Sequence, residues 1–214
     1  MTTPGSREPE QLLSRASQGD KESLGQLLEF YRNYLHLLAR TQLDLHLQTR
    51  ANPSDLVQET FLVAAGHFHQ FRGQTEGELL GWLRRILIHQ IARLVEKQVV
   101  AQKRSVRREV SLEPLRRRLQ DSSIHFDRAL ISQASSPSMQ AHRRELSALV
   151  ADQLARLSPA HRDVIIYRNL EGLAFDEVAR RMERTPGAVR VLWLRALEEL
   201  RELVKQQEDE LLGM

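Results

Sequence analysis

Residues 158–200 have the sequence SPAHRDVIIYRNLEGLAFDEVARRMERTPGAVRVLWLRALEEL, which decides the fold of the C-terminal part of the chain. Ser158-Pro159 predicts the start of a helix, because a capping side chain precedes a proline at the first helical position. Gly172 predicts its end, since glycine tolerates the positive φ found there. A short helix from Phe175 to Met182 follows, and Thr185-Pro186 opens the last helix. The stretch therefore predicts a scaffold helix followed by two helices joined by a tight turn.

The last of these helices has a surface that predicts a ligand. Small residues at its N-terminus would let it lie deep in a DNA major groove, where an arginine can bind guanine bidentately. An arginine-coated three-helix bundle is the alternative. The predicted outer face consists of Gly187, Ala188, Arg190, Val191, Leu194 and Arg195. The predicted inner positions are Leu157, Val164, Ile165, Tyr167, Val178, Ala179, Met182, Val189, Leu192 or Trp193, Ala196, Leu197 and Leu200.

The composition narrows the class of protein. A chain of 214 residues with 41% hydrophobic and 5% aromatic residues suits one domain or two small helical ones. The absence of cysteine excludes disulfides and thiolate metal sites and fits a reducing cytoplasm. No apolar run approaches the roughly 18 residues of a membrane span, and Met1 to Glu10 lacks a signal-peptide core. We therefore expect a soluble, intracellular, cytoplasmic protein with no membrane contact.

The N-terminal part of the chain repeats apolar residues at helical spacing. Gly19-Asp20 separates the first two helices, and Asn52-Pro53 opens the third with a cap and a proline at the first helical position. A fourth helix is predicted from about Glu76 to about Val100. The apolar positions are Leu12, Leu13 and Ala16; Leu24, Leu27, Leu28, Tyr31, Leu35 and Leu38 in one run; Leu56, Val57, Phe61 and Ala64; and Leu79, Leu80, Leu83, Ile86, Leu87, Ile91 and Leu94.

Between these two parts, residues 101–139 are rich in serine and basic residues and poor in apolar ones, as a linker is. The net charge is only +3 although the sequence pI is about 9.6, and arginine is concentrated here. A basic cluster can contact a polyanion, or it can be a solvated linker. We predict an all-α protein with two small helical domains, 9–100 and 140–207, joined by this basic linker. The basic residues are Lys103, Arg104, Arg107, Arg108, Arg116, Arg117 and Arg118.

A second group of polar and aromatic residues lies in the N-terminal part. Asp55, Gln58 and Glu59 share one exposed helix face, since they are three and four residues apart. Taken alone, such a face is usually only solvated. Downstream, Phe68, Phe71-Arg72-Gly73 and Trp82-Leu83-Arg84-Arg85-Ile86 combine aromatic rings with arginines, as proteins that hold unstacked bases do. Buried aromatics beside surface arginines would explain the same residues.

Together these segments resemble a bacterial sigma factor of the extracytoplasmic-function (ECF) class within the sigma-70 family. The resemblance covers about two-thirds of the chain, in the family's order and spacing. The residues that carry it are Asp55-Leu-Val-Gln-Glu-Thr-Phe61, Phe68, Phe71-Arg-Gly73, Trp82-Leu-Arg-Arg-Ile86, Leu157-Ser-Pro-Ala-His-Arg162, Glu177-Val-Ala179, Gly187-Ala-Val-Arg190 and Arg195-Ala196.

The resemblance implies a function and its partners. The first domain would grip the β′ clamp helices of core RNA polymerase, the β flap of the polymerase would be a further partner, and both domains would contact promoter DNA. Members of the class are often held inactive by an anti-sigma factor, which is a further candidate partner. No catalysis, metal or cofactor is implied, and His67-Phe68-His69 lacks carboxylate partners at metal-ligand spacing. A conventional transcriptional regulator is the main alternative, but it would normally need a symmetric dimer.

The resemblance also implies roles for individual residues. Asp55, Gln58, Glu59 and Phe61 would bind polymerase. The minus-ten element would be captured as a flipped base by the loop from Phe71 to Trp82 and the following helix, that is by Phe71, Arg72, Trp82, Arg84, Arg85, Ile88, His89 and Arg93. The minus-thirty-five element would be bound as duplex by Phe175, Asp176, Thr185, Gly187, Ala188, Arg190, Val191, Leu194 and Arg195.

Two positions depart from the family pattern. His89 stands where asparagine is common, so an imidazole replaces a bidentate amide. Val191 stands where a polar residue is frequent, which favours apolar contact with a thymine methyl group over a hydrogen bond. In addition, Gly77 and Gly81 could loosen the start of the minus-ten helix or extend its loop.

Overall fold

A computed structural model describes residues 7–46, 51–102, 117 and 143–212 of the chain. Within these residues the secondary structure is helical and contains no strand, which confirms the all-α prediction. None of the described helices is long and apolar enough to span a membrane. The helices are α1 Arg7–Ser17, α2 Lys21–Phe30, α3 Arg32–His46, α4 Pro53–His67, α5 Glu76–Gln102, α6 Arg143–Arg156, α7 Pro159–Ile165, α8 Phe175–Arg181 and α9 Pro186–Leu212.

The chain divides into two compact units. One is Leu12–His125, and the other is Phe126–Met214 together with the first eleven residues. Most of the predicted linker, 101–139, lies outside the described residues, as does its basic cluster apart from Arg117. The domain limits 9–100 and 140–207 therefore stay a prediction.

The core of the N-terminal unit is formed where α3, α4 and α5 pack against one another. The apolar run predicted from Leu24 to Leu38 is buried throughout, but it spans two helices and not one. The helix is interrupted at Tyr31, which has φ −93° and ψ 3°. Because no residue is inserted at this break, the helical period continues across it, and periodicity alone cannot reveal it. The fully buried side chains of this unit include Tyr31, Tyr34, Leu27, Leu35, Leu38, Leu79, Leu83, Leu87 and Ile91.

Side-chain caps start two helices of this unit. The Ser54 amide donates to Asn52 Oδ1 at 3.0 Å, and Pro53 follows the cap, as predicted for α4. Asp20 caps α2 by accepting from the Glu22 amide at 3.0 Å. A hydrogen bond from the Ser23 hydroxyl, at 2.6 Å, is the main cause that lowers the pKa of Asp20. Each of these helices has a short polar side chain just before its first turn, which is a local signal that the sequence contains.

In the C-terminal unit, α9 packs against α6, α7 and α8. Most of the predicted inner residues of α7 to α9 are buried, but Leu192 and Trp193, the two alternatives at one position, are both half-buried. Tyr167 and Met182 are also only half-buried, and Ile166 is fully buried instead. The cause at Tyr167 is a π-helical turn, Ile166–Leu170, that follows α7 directly. Such a turn adds a residue per hydrogen-bonded ring and so rotates the buried stripe by one position.

The helix-turn-helix of this unit begins and ends at the predicted residues. Ser158 caps α7, and Gly172 adopts the left-handed φ of 72° that the sequence required after it. Between α8 and α9, Glu183 also has a positive φ, 54°, although it is not a glycine. Thr185 Oγ1 then accepts from the Ala188 amide at 3.3 Å and caps α9. The predicted helix-turn-helix is confirmed.

Candidate nucleic-acid interface

The N-terminal half of α9 presents the face that the sequence predicted for DNA. All six predicted outer residues are exposed. Among the described residues only three large apolar side chains are classed as exposed, and two of them, Val191 (49%) and Leu194 (59%), lie on this face. Because residues three and four apart share a helix face, Val191 and Leu194 continue the line that begins at Gly187. The face thus has an apolar centre.

An aromatic ring at the start of α8 organises one side of this face. Phe175 is half-buried and packs edge-to-face with Trp193, with ring centroids 5.5 Å apart. The guanidinium carbons of Arg190 and Arg168 lie 5.4 and 4.9 Å from the Phe175 ring centroid. Trp193 Nε1 donates to Asn169 Oδ1 at 2.8 Å, which ties α9 to the π turn. The Phe175 ring therefore supports both Arg190 and Arg168.

The remaining predicted residues of this interface surround the turn between α8 and α9. Asp176 and Thr185 are exposed, in agreement with a position near a DNA backbone. Arg184 is also exposed beside Thr185, and no described residue pairs with it, although the sequence analysis did not single it out. Arg180 and Arg181 form ion pairs with Glu177. An arginine in a turn carries no helical periodicity, so the pattern gave no signal for Arg184.

The predicted minus-ten region of the N-terminal unit contains a second aromatic cluster. Phe68, Phe71 and Trp82 pack on one another, with centroid separations of 5.7 Å between the two phenylalanines and 5.3 and 6.2 Å from Trp82 to Phe71 and Phe68. All three are half-buried. Arg72 is exposed and donates from Nη1 to the His69 carbonyl at 3.3 Å. The rings serve mainly to fix the chain between α4 and α5.

The helix α5 begins at Glu76, as predicted, so residues 76–82 of the segment that the resemblance implied as a loop are helical. Glu78 Oε2 accepts from the amides of Gln74 and Thr75, at 2.9 and 3.1 Å, while the Glu78 amide donates to Thr75 Oγ1 at 3.3 Å. This reciprocal pair is a capping box, and it starts the helix despite the nearby Gly77. A Cβ on Gly73 would lie 2.3 Å from Phe71 Cζ, so the glycine makes room for the ring.

The predicted DNA-binding residues of α5 divide into an exposed row and an inner set. Arg85, His89 and Arg93 are exposed and four residues apart, and the exposed Lys97, not named from the sequence, extends the row. Arg84 is half-buried. Ile88 is buried, with 4% exposure, so it stabilises the core and offers no surface to DNA. The prediction that Ile88 contacts DNA is therefore wrong, because the buried surface of α5 is wide enough to include both Leu87 and Ile88.

The predicted polymerase-binding face of α4 is partly as expected. Asp55, Gln58 and Glu59 are exposed on one side of the helix. Leu62 completes this side with 69% exposure, whereas Phe61 is half-buried on another side. Arg32 lies over the Phe61 ring at 5.2 Å from its centroid and is held by Glu29. The hydrogen bond from Arg32 in turn lowers the pKa of Glu29.

A groove of about 480 Å³ separates this face from the exposed row of α5. Asp55 and Glu59 line one wall, and Arg93 and Lys97 line the other. Within the described part of the chain no ion pair connects the two walls, so these charges are available to a partner. The apolar residues of the groove are Ala51, Leu56, Leu62, Val63 and Leu94.

His67 and His69, the pair considered as a metal site, are both exposed. Their rings stack with centroids 6.5 Å apart, and His67 Nδ1 lies 3.0 Å from the Val63 carbonyl. In the described ranges no group of three or more His, Asp or Glu side chains is arranged to hold a metal ion.

The fold and the α9 face together define a helix-turn-helix protein. Residues 147–200 match the family described as sigma-70, region 4. The ECF RNA polymerase sigma-E factor of Haemophilus influenzae is 28% identical over 188 residues, which cover 87% of this chain and 90% of the relative. The RNA polymerase sigma-H factor of Pseudomonas aeruginosa is 27% identical over 191 residues, 88% and 90% of the two chains. The RNA polymerase sigma factor CarQ of Myxococcus xanthus is 34% identical over 74 residues, 35% and 38%.

Over most of its length the chain is therefore similar to sigma factors of the ECF class, and its C-terminal helices match region 4 of the sigma-70 family. The two longer similarities extend well beyond the helix-turn-helix, across most of the chain. This separates it from a conventional regulator that shares only the C-terminal helices.

Proposed function

We propose that the chain binds core RNA polymerase through its N-terminal unit and contacts promoter DNA with both units. The observation that supports this most directly is the presence, in one chain, of an exposed apolar–arginine face on α9 and an exposed acidic face on α4. The first suits duplex DNA and the second a basic protein surface. No bond-making chemistry is needed, and we propose that the chain is not an enzyme and acts in the cytoplasm, where the polymerase is.

The polymerase contact would use the α4 face. Asp55, Gln58 and Glu59 would meet basic residues of the β′ clamp helices, and the exposed Leu62 would pack between them. Charge complementarity orients such docking, and one apolar contact at the centre adds affinity. Phe61 would act indirectly, through its contact with Arg32.

The minus-ten element would be held by α5 and the loop before it. Arg85, His89, Arg93 and Lys97 form a row about 18 Å long along α5, which suits a single-stranded backbone. Flipping a base out of the stack costs a few kcal/mol, which pocket contacts must offset. Arg72, exposed on the loop, would contact such a base, and the aromatic cluster would hold the loop in place.

The minus-thirty-five element would be bound as duplex by α9, with the start of the helix in the major groove. Backbone amides at its N-terminus and Arg184 would contact phosphates, since helix N-termini attract anions. The β flap of the polymerase would dock on the same unit, away from this face. An anti-sigma factor, as is common in the class, would compete for one of these surfaces.

The test is reconstitution with core polymerase. The purified chain should bind core enzyme and start transcription at specific promoters that core enzyme alone does not use. Glu59→Lys should weaken core binding at least tenfold, because it reverses a charge at the centre of the contact face. Glu22→Lys reverses another exposed carboxylate, on α2, and should leave core binding unchanged.

Two outcomes would contradict the proposal. If neither core binding nor promoter-specific initiation is observed, the polymerase role is wrong. If the chain alone binds a duplex tightly and blocks transcription without polymerase, it is a conventional regulator. Equal weakening by Glu59→Lys and Glu22→Lys would reject the α4 face as the contact site.

A further inference from the structure

The centre of the α9 outer face lacks hydrogen-bonding side chains. Gly187, Val191 and Leu194 follow one another along it, and Val191 and Leu194 are 49% and 59% exposed. Exposed single apolar residues are ordinary, but two of the three large ones classed as exposed in the described residues lie side by side here. A helix that enters the major groove with these residues therefore presents methyl groups, and no side-chain donor or acceptor, along the middle of its face from Gly187 to Leu194.

The arginines of this face lie on its flanks. Arg190 and Arg195 are five residues apart, so they are separated by about 140° around the helix. Arg190 is drawn further towards α8 by the Phe175 ring, 5.4 Å from its guanidinium carbon. Two flanking guanidinium groups suit the two phosphate backbones that border a groove better than its floor. Base discrimination then depends on the central residues.

In the major groove the one apolar group of the bases is the C5-methyl of thymine. The Cβ atoms of residues three apart on a helix are about 5–6 Å apart, which matches one to two base-pair steps of about 3.4 Å. We propose that Val191 and Leu194 recognise thymine methyl groups at two nearby base pairs of the minus-thirty-five element. This inference rests on the proposed function and names the chemical group that the C-terminal unit selects.

The experiment uses holoenzyme assembled from the full chain and core polymerase. A promoter duplex pool with a randomised minus-thirty-five half is selected by binding, and the selected duplexes are resynthesised with deoxyuridine for thymine in that half only. Deoxyuridine keeps every hydrogen bond of thymine and removes only the methyl group. We expect selected sequences to contain thymine at two nearby positions, and affinity to fall about fourfold for each contacted methyl. Deoxyuridine in the spacer should have no effect.

Two variants assign the effect to these side chains. Leu194→Ala and Val191→Ala change exposed residues, so folding should be unaffected, and each should abolish the discrimination between thymine and deoxyuridine at one position. Arg195→Ala should weaken both duplexes equally and reduce the salt dependence of binding, as expected for a phosphate contact.

The inference is overturned if thymine and deoxyuridine duplexes bind equally, or if the alanine variants retain the discrimination. Selection of guanine at the central positions with loss of preference in Arg190→Ala would assign discrimination to arginine instead. If holoenzyme selects no duplex at all, the proposed function fails first, and that result is distinct from a promoter that binds without methyl discrimination.

Discussion

The aromatic cluster of the N-terminal unit and that of the C-terminal unit contain the same residue types but order different parts of the molecule. In the first, Phe71 and Trp82 pack on each other and fix a connection between helices, and Arg72 contacts a backbone carbonyl instead. In the second, Phe175 packs against Trp193 and supports two guanidinium groups on its ring. Aromatic residues near arginines in a sequence thus indicate an interface without telling whether the ring orders the backbone or the arginine.

The largest expected effect concerns the backbone that the first cluster orders. Gly73→Ala would place a Cβ 2.3 Å from Phe71 Cζ and 2.8 Å from Glu78 Cβ, and neither atom can move without disturbing the cluster or the start of α5. We expect the N-terminal unit to lose about 1–3 kcal/mol of its free energy of unfolding, as for overpacked sites. Urea unfolding followed by Trp82 fluorescence in a Trp193→Phe background reports this unit alone, since the chain has two tryptophans.

The matched control is Gly66→Ala in α4, where an added Cβ meets no atom within 4 Å. Alanine favours the helix there by up to about 1 kcal/mol, so this variant should be as stable as the parent or more so. If Gly73→Ala and Gly66→Ala behaved alike, the Phe71 ring would not depend on the glycine, and the contrast between the two clusters would lose its structural basis.

The threonine caps of α5 and α9 give the next effect. Thr75 shares a reciprocal capping box with Glu78, whereas Thr185 accepts one hydrogen bond from the Ala188 amide. Thr75→Ala should cost about 1–2 kcal/mol and Thr185→Ala about 1 kcal/mol, because the first also weakens the hold on Glu78. Urea unfolding monitored by the tryptophan of each unit measures both. Serine at either position keeps the hydroxyl and should restore most of the loss; an equal loss at both sites would show that the box adds nothing.

These caps also illustrate what the sequence could and could not reveal. Asn52, Ser158 and Thr185 were predicted as caps because each is followed by proline, a strong local signal. The Thr75–Glu78 box has no proline, but the start of the helix at about Glu76 was still predicted from its apolar period, and only the loop implied from Phe71 to Trp82 extended too far. Local rules located helix starts well. They could not detect the break at Tyr31, which preserves the helical period.

Side-chain exposure was predicted well where a helix has one apolar stripe and poorly where packing is asymmetric. The whole α9 face was exposed as expected. On α5, Ile88 was buried because neighbouring helices cover a wide surface, and on α4 the exposed apolar residue is Leu62 and not Phe61. Which of two adjacent apolar residues is covered depends on a contact distant in sequence, here Arg32 over the Phe61 ring.

A smaller effect tests the second cluster. Phe175→Leu keeps the apolar volume at the start of α8 but removes the ring face under Arg190 and Arg168. A cation–π contact at a partly exposed site contributes about 0.5–1 kcal/mol, so duplex binding should weaken about two- to fivefold. The free energy of unfolding should change little. Equilibrium titration of labelled promoter duplex measures the affinity, and Phe175→Tyr, which keeps the ring, is the control. A loss of stability without loss of affinity would make Phe175 a core residue like Phe71.

The smallest effect comes from the turn that joins α8 and α9 in the C-terminal unit. Glu183 has φ 54°, a conformation that costs an L-residue about 1–2 kcal/mol and a glycine almost nothing. Glycine also loses more freedom on folding, so Glu183→Gly should stabilise this unit by about 0.5 kcal/mol, measured by Trp193 fluorescence in a Trp82→Phe background. The reverse change can be made at Gly172, which has φ 72°: Gly172→Ala should lower the free energy of unfolding by about 1 kcal/mol. If Glu183→Gly destabilised the unit, the glutamate would be held by contacts that outweigh its backbone conformation.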